Sequence, residues 1–160
     1  TYRLPEAQLD RFLMKTSVGY PNREALTRIL SSSAHPDRSK SLSAVVASSV
    51  VASMADLAAS NHIENSVLDY IGALVEATRD AEETRMGVST RGAIGMARAA
   101  RVWAAAQGRN FVLPDDVKDL ADVVWAHRLV MDPDAEFTGA TASGVITAAL
   151  GQVPAPTTRD

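Results

Sequence analysis

Few residues in this 160-residue chain have the type and spacing to do chemistry. Arg11 stands in LPEAQLDRF, residues 4–12, directly before the apolar run FLM. That is a proline-interrupted loop aiming a guanidinium. Asp115 and Asp116 are adjacent carboxylates, a pairing that acid–base catalysis uses. They follow Pro114, however, and open a helix, where their charge offsets the positive end of the helix dipole. His35, His62 and His127 lie far apart and show no HExxH spacing. The chain has no cysteine, which removes disulfides, thiolate metal ligands and a cysteine nucleophile, so no metal site is expected. None of Lys15, Lys40 and Lys118 has both the glycine before it and the hydroxyl after it that a phosphate-cradling loop needs. No apolar strand ends in an Asp-Glu pair. Trp103 and Trp125 sit near apolar faces and read as core aromatics.

The elements that would position these residues are mostly helical. Phe12, Met14, Thr16 and Val18 alternate with Leu13, Lys15 and Ser17, which predicts a short strand over 12–18. One strand cannot satisfy its own backbone, so it needs a partner. Asn22 is an N-cap for NREALTRIL, with Ala25, Leu26, Ile29 and Leu30 on one face. Residues 31–41 are polar and aperiodic and read as a flexible linker. Helical spacing returns from Leu42, with Val46, Val50, Met54, Leu57 and Ala58 sharing a face. Val67, Leu68, Ile71, Leu74, Val75 and Thr78 give the clearest amphipathic helix. Residues 80–87 form a charged turn. Ser89 caps an alanine- and glycine-rich helix that stops at Gly108. Small residues there permit close helix approach. Val117, Leu120, Ala121 and Val124 face inward on the helix opened by Pro114. Residues 127–131 are a short strand or a loop, and DPDAEFTG is a turn. Thr141 or Ser143 opens a last helix with Val145, Ile146, Ala149 and Leu150 inward, and 154–160 is a disordered tail. The expected fold is mainly α, five or six helices after one short strand.

Bulk properties bound the function. Net charge is −3, and the thirteen arginines and three lysines are dispersed, which argues against a nucleic-acid surface. No run of about eighteen apolar residues exists to span a membrane, and a cytoplasmic location is the expectation.

Three stretches carry a family resemblance. LPEAQLDRFLMKTSVGYPNREAL resembles the segment closing the ATPase core of MoxR-type AAA+ proteins. MGVSTRGAIGMARAARVWAAAQGRNFVLPDDV resembles their sensor-2 region, with Thr90 where the family often has proline. VLDYIGALVEATRD is similar to their lid helix, and AHRLVM fits after the fourth helix. The likeness runs from about Leu4 to Gln152.

The resemblance implies that this is the C-terminal part of a longer ATPase. Residues 1–20 would end the AAA+ core and 21–153 would be the helical lid. Residues 12–18 would then be the last strand of a core sheet whose other strands lie upstream, with the P-loop, Walker B and sensor-1 segments. Arg11 would be an arginine finger acting in trans. Arg91 would be the sensor-2 arginine, with Ser89 and Thr90 at the helix N-terminus near phosphate. The parent would use ATP and Mg2+, form a ring, typically a hexamer, and remodel client proteins or insert their cofactors. Clients with von Willebrand A domains are typical of the family. The fragment alone, with neither Walker motif, should not hydrolyse ATP. Two other readings stand beside this one. One is a stand-alone helical interaction module that binds no nucleotide. The other is an AAA+ lid acting on DNA, against which the acidic balance argues.

Overall fold

The computed structural model describes residues 4–32 and 42–157. Among them are eight helices: α1 (Glu6–Leu9), α2 (Arg23–Ser31), α3 (Ser48–Ala59), α4 (Asn65–Asp80), α5 (Thr90–Ala106), α6 (Pro114–Trp125), α7 (Pro133–Phe137) and α8 (Ala142–Gln152). A two-stranded antiparallel ladder, β1 (Thr84–Met86) with β2 (Val130–Met131), accompanies them.

The core is made by α4, α5, α6 and α8. Leu74 of α4, Met96 of α5 and Val117 and Val124 of α6, the last two spaced seven residues apart on one helix face, are fully buried. Each such side chain contributes about 1.5–3 kcal/mol by leaving water. α5 packs most closely on α6, and alanines at 99, 100 and 104 let the two approach. α5 ends in a Schellman motif. Gly108, at φ 75°, donates to Ala105 O, and Arg109 donates to Ala104 O. α6 begins with Pro114, and Asp116 Oδ2 accepts the Leu113 N–H at 2.8 Å, so this carboxylate caps its helix. Asp116 is also paired with Arg109, whose pKa that hydrogen bond holds above its ordinary value. Asp115 pairs with Lys118 at 2.8 Å. Neither carboxylate is left for acid–base work.

The structure corrects several expectations. Residues 12–18 are not a strand. They run along the bundle instead, where Lys15 N–H donates to Val123 O at 2.8 Å. Backbone pairing was required, and a helix carbonyl supplies part of it. α3 starts at Ser48, six residues after Leu42, and its expected apolar face is exposed apart from Ala58. The charged turn at 80–87 contains β1, and 127–131 divides into a 3₁₀ turn (Ala126–Arg128) and β2. The expected turn at 132–139 is opened by α7, capped by Asp132. Trp125 is buried, whereas Trp103 stands 38% exposed. The tail does not leave the surface at 154: Val153 and Ala155 pack against the core. Of the linker read at 31–41, Ser31 ends α2 and residues 33–41 lie outside the described residues.

Candidate functional site

The first functional segment is the loop entering α5. Thr78, buried in α4, donates its hydroxyl to Val75 O at 2.7 Å and accepts the Val88 N–H at 3.1 Å. Arg79 Nε donates to Val88 O at 2.9 Å. Gly87 lies so close to α4 that a Cβ there would come within 2.6 Å of the Thr78 carbonyl. The loop is therefore fixed where Ser89 begins the helix. Ser89 Oγ accepts the Gly92 N–H at 3.1 Å, as an N-cap does. Thr90 and Arg91 follow, both exposed, on the first turn of a 17-residue helix. A helix start with free amides and an added guanidinium suits an anion.

The second segment is the loop bearing Arg11. α1 is one turn long, and Arg11 follows it, exposed; its N–H donates to Gln8 O at 3.2 Å, and its guanidinium makes no hydrogen bond or ion pair among the described residues. Its neighbours are held firmly. Asp10 accepts the Ser89 hydroxyl at 2.9 and 3.0 Å. Arg11 and Arg91 thus stand one and two residues from the two ends of a single contact.

Arg128 joins both segments from beneath. Its side chain is 2% exposed, and a buried guanidinium is tolerable only when paired and hydrogen-bonded. Nε donates to Val124 O at 2.8 Å. Nη1 donates to Asp10 Oδ1 at 2.8 Å and to Asp10 O, and Nη2 to Phe12 O at 2.6 Å and Leu13 O at 3.2 Å. Gly92 and Gly95 make room for it. A Cβ on Gly92 would stand 3.1 Å from Arg128 Cδ, and one on Gly95 3.5 Å from Nη2. His127 Nε2 meets the Phe12 carbonyl at 3.0 Å, so that nitrogen carries the proton. The residue is a helix-end histidine, as its position after α6 suggests.

Residues 76–148 match the AAA lid domain family. The Bacillus subtilis uncharacterized protein YeaC is 35% identical over 99% of this chain and 50% of its own length. The chaperone MoxR1 of Mycobacterium tuberculosis is 34% identical over 97% of this chain and 43% of its own. The protein MoxR of Paracoccus denitrificans is 30% identical, over 98% and 52%. Over nearly its whole length the chain is similar to MoxR-type proteins, and within it lies a match to the AAA lid domain. The crystal structure of a "putative ATPase" from Cytophaga hutchinsonii superposes with a TM-score of 0.86 at 30% identity, over 98% of this chain and 50% of that one. The chain spans about half the length of the relatives it matches.

Arg11 and Arg91 are exposed, one after α1 and the other on the first turn of α5. Among the described residues no group of three or more His, Cys, Asp or Glu could hold a metal ion. No described helix is long and apolar enough to cross a membrane. Two residues of this arrangement escaped the reading of the sequence, Asp10 and Arg128. The signal that could have found Arg128 is the pair Gly92 and Gly95, one turn apart. A helix that spends two glycines on one face makes room for something bulky.

Proposed function

We propose that this chain is the arginine-finger segment and sensor-2 lid of a longer MoxR-type ATPase. The parent binds ATP and Mg2+ through upstream segments and couples hydrolysis to chaperone-like remodelling of clients or insertion of their cofactors. Clients bearing von Willebrand A domains are the favoured class, and the setting is the cytoplasm. Arg11 supplies positive charge in trans to the phosphoryl group being transferred at a neighbouring subunit, a role worth about 10³–10⁵ in rate. That role requires a ring, here a hexamer. Arg91, on the amide-rich start of α5, meets phosphate bound between core and lid, with Ser89 and Thr90 shaping that helix end. A lid arginine on phosphate makes lid angle depend on nucleotide state.

The observation that supports this reading is the likeness to MoxR-type proteins over 97–98% of this chain, combined with two exposed guanidiniums beside the Asp10–Ser89 contact. The test is ATP turnover by the full-length protein. Arg11→Ala should lower kcat by about 10³-fold or more while nucleotide still binds. Equal turnover would remove the finger role. The 160-residue chain alone should show no turnover.

A second reading has one observation in its favour. Met54 and Leu57 of α3 and Leu26 and Ile29 of α2 are exposed, as a helical protein-interaction module without nucleotide binding would require. A full-length protein that neither binds nor hydrolyses ATP would favour it.

A further inference from the structure

We propose that Arg128 is the positioning residue of Arg11, and that the chain Arg128–Asp10–Ser89 fastens the finger loop to the helix that carries Arg91. The inference rests on the reading of Arg11 as an arginine finger.

The loop around Arg11 has only local turn bonds of its own, Arg11 N–H to Gln8 O at 3.2 Å and Phe12 N–H to Leu9 O at 3.1 Å, and these do not tie it to the bundle. α1 gives it one helical turn, and 12–18 forms no strand. A finger must be aimed to well under an ångström, since a 1 Å misplacement can cost about 10²-fold in rate. The aim has to come from outside the loop, and Arg128 is placed to give it. The carbonyls on both sides of Arg11, those of Asp10 and Phe12, end on its guanidinium, and so does that of Leu13. The peptide unit before Arg11 is held through Asp10 O. The unit after it lies between the Phe12 carbonyl, gripped one residue further on, and the Phe12 N–H, which donates to Leu9 O at 3.1 Å. With both units so confined, the direction of the Arg11 Cα–Cβ bond is set. Arg128 therefore sets where Arg11 points without touching its side chain.

The guanidinium is itself immobile. It is buried, tethered through Nε to the last turn of α6, and laid over Gly92 and Gly95 of α5. The Asp10 carboxylate balances its charge and takes the Ser89 hydroxyl in the same stroke. Three elements thus meet at one planar fork: the end of α6, the start of α5 and the finger loop. A shift of α5 driven through Arg91 reaches the backbone of Arg11 through two hydrogen-bonded steps. Lysine cannot replace this fork. Its ammonium is a point charge on a flexible stem and cannot address three carbonyls in fixed directions.

The experiment uses the full-length ATPase with four variants: Arg11→Ala, Arg128→Lys, the two combined, and Asp10→Asn. ATP turnover, nucleotide affinity and thermal unfolding are measured for each. Arg128→Lys should lower kcat by about 10²-fold with nucleotide Kd unchanged. Placed on Arg11→Ala, it should cost nothing further, because it acts only through that arginine. Asp10→Asn, which keeps the shape and the Ser89 bond, should lower kcat in the same direction, and it decides the matter if Arg128→Lys does not fold. Wild-type kcat in a folded Arg128→Lys, or in Asp10→Asn when that variant decides, would overturn the proposal. So would a further loss on the Arg11→Ala background, which would mark an independent structural role. An Arg11→Ala variant with full turnover is a different failure. It would remove the finger reading itself, whatever Arg128 does.

Discussion

In α4 the apolar residues at three- and four-residue spacing end inside the bundle. In α2 the same spacing ends in solvent. Val67, Ile71, Leu74 and Val75 are buried by α8, α5 and α6, whereas Leu26 and Ile29 stand 45% and 49% exposed. α3 repeats the pattern of α2, with Met54 and Leu57 outward. The difference lies in what each face meets. An amphipathic stripe tells which side of a helix needs cover and is silent about what covers it. Residues 61–157 supply one another's cover. For α2 and most of α3, the described residues do not.

Truncation tests this contrast most strongly. Leu74→Ala should destabilise the 160-residue chain by about 2–5 kcal/mol in denaturant unfolding. Ile29→Ala should change it by less than about 0.5 kcal/mol. A large loss at Ile29 would mean that α2 has a partner within the chain, and the contrast would collapse.

Two helical glycines sharpen it within the core. A Cβ at Gly92 would come within 2.7 Å of Val88 Cγ1 and crowd Arg128, so Gly92→Ala should cost about 1–3 kcal/mol. Gly72 on α4 has nothing within 4 Å of the added carbon. There the same change should stabilise by about 0.5–1 kcal/mol, through helix propensity alone. Thermal melts of the two variants should move in opposite directions.

The smallest expected effect concerns Tyr70. Its hydroxyl is buried on α4 without a hydrogen-bond partner among the described residues. Burial pushes its pKa above the ordinary 10.0, with Lys118 pulling down and Asp115 pushing up. The native chain therefore keeps this proton more tightly than the unfolded chain does. Its contribution to stability is complete below about pH 10 and is lost as pH rises through the raised native value. Tyr70→Phe should change stability near neutrality by no more than about 1 kcal/mol and should flatten the alkaline loss. An unchanged alkaline profile would show that another group titrates there.

Much of the bundle was legible because burial and period coincide in its core. Val117, Leu120, Ala121 and Val124 all face inward as their spacing requires, Ser89 and Asn22 cap the helices they were read to cap, and of the two candidates Thr141 and Ser143 it is Thr141 that caps α8. Leu68 fits the stripe of α4 yet is 39% exposed, because it lies at the edge of the covered face. Residues 12–18 alternate as a strand does, but alternation cannot say whether a sheet or a helix end will receive the backbone. The candidate arginines could be named from sequence. Their mutual placement could not, because it depends on Asp10 and Arg128, which lie 118 positions apart and each look like an ordinary surface charge.

The grip of Arg128 falls on carbonyl oxygens, and every amino acid carries one. Side chains at 12 and 13 can therefore change without loosening it, while their number cannot. One residue inserted between Asp10 and Leu13 would present the wrong carbonyls to a fork that cannot move. The loop is free in composition and strict in length, so a library that varies residues 12 and 13 should retain far more working members than one that adds or removes a single position.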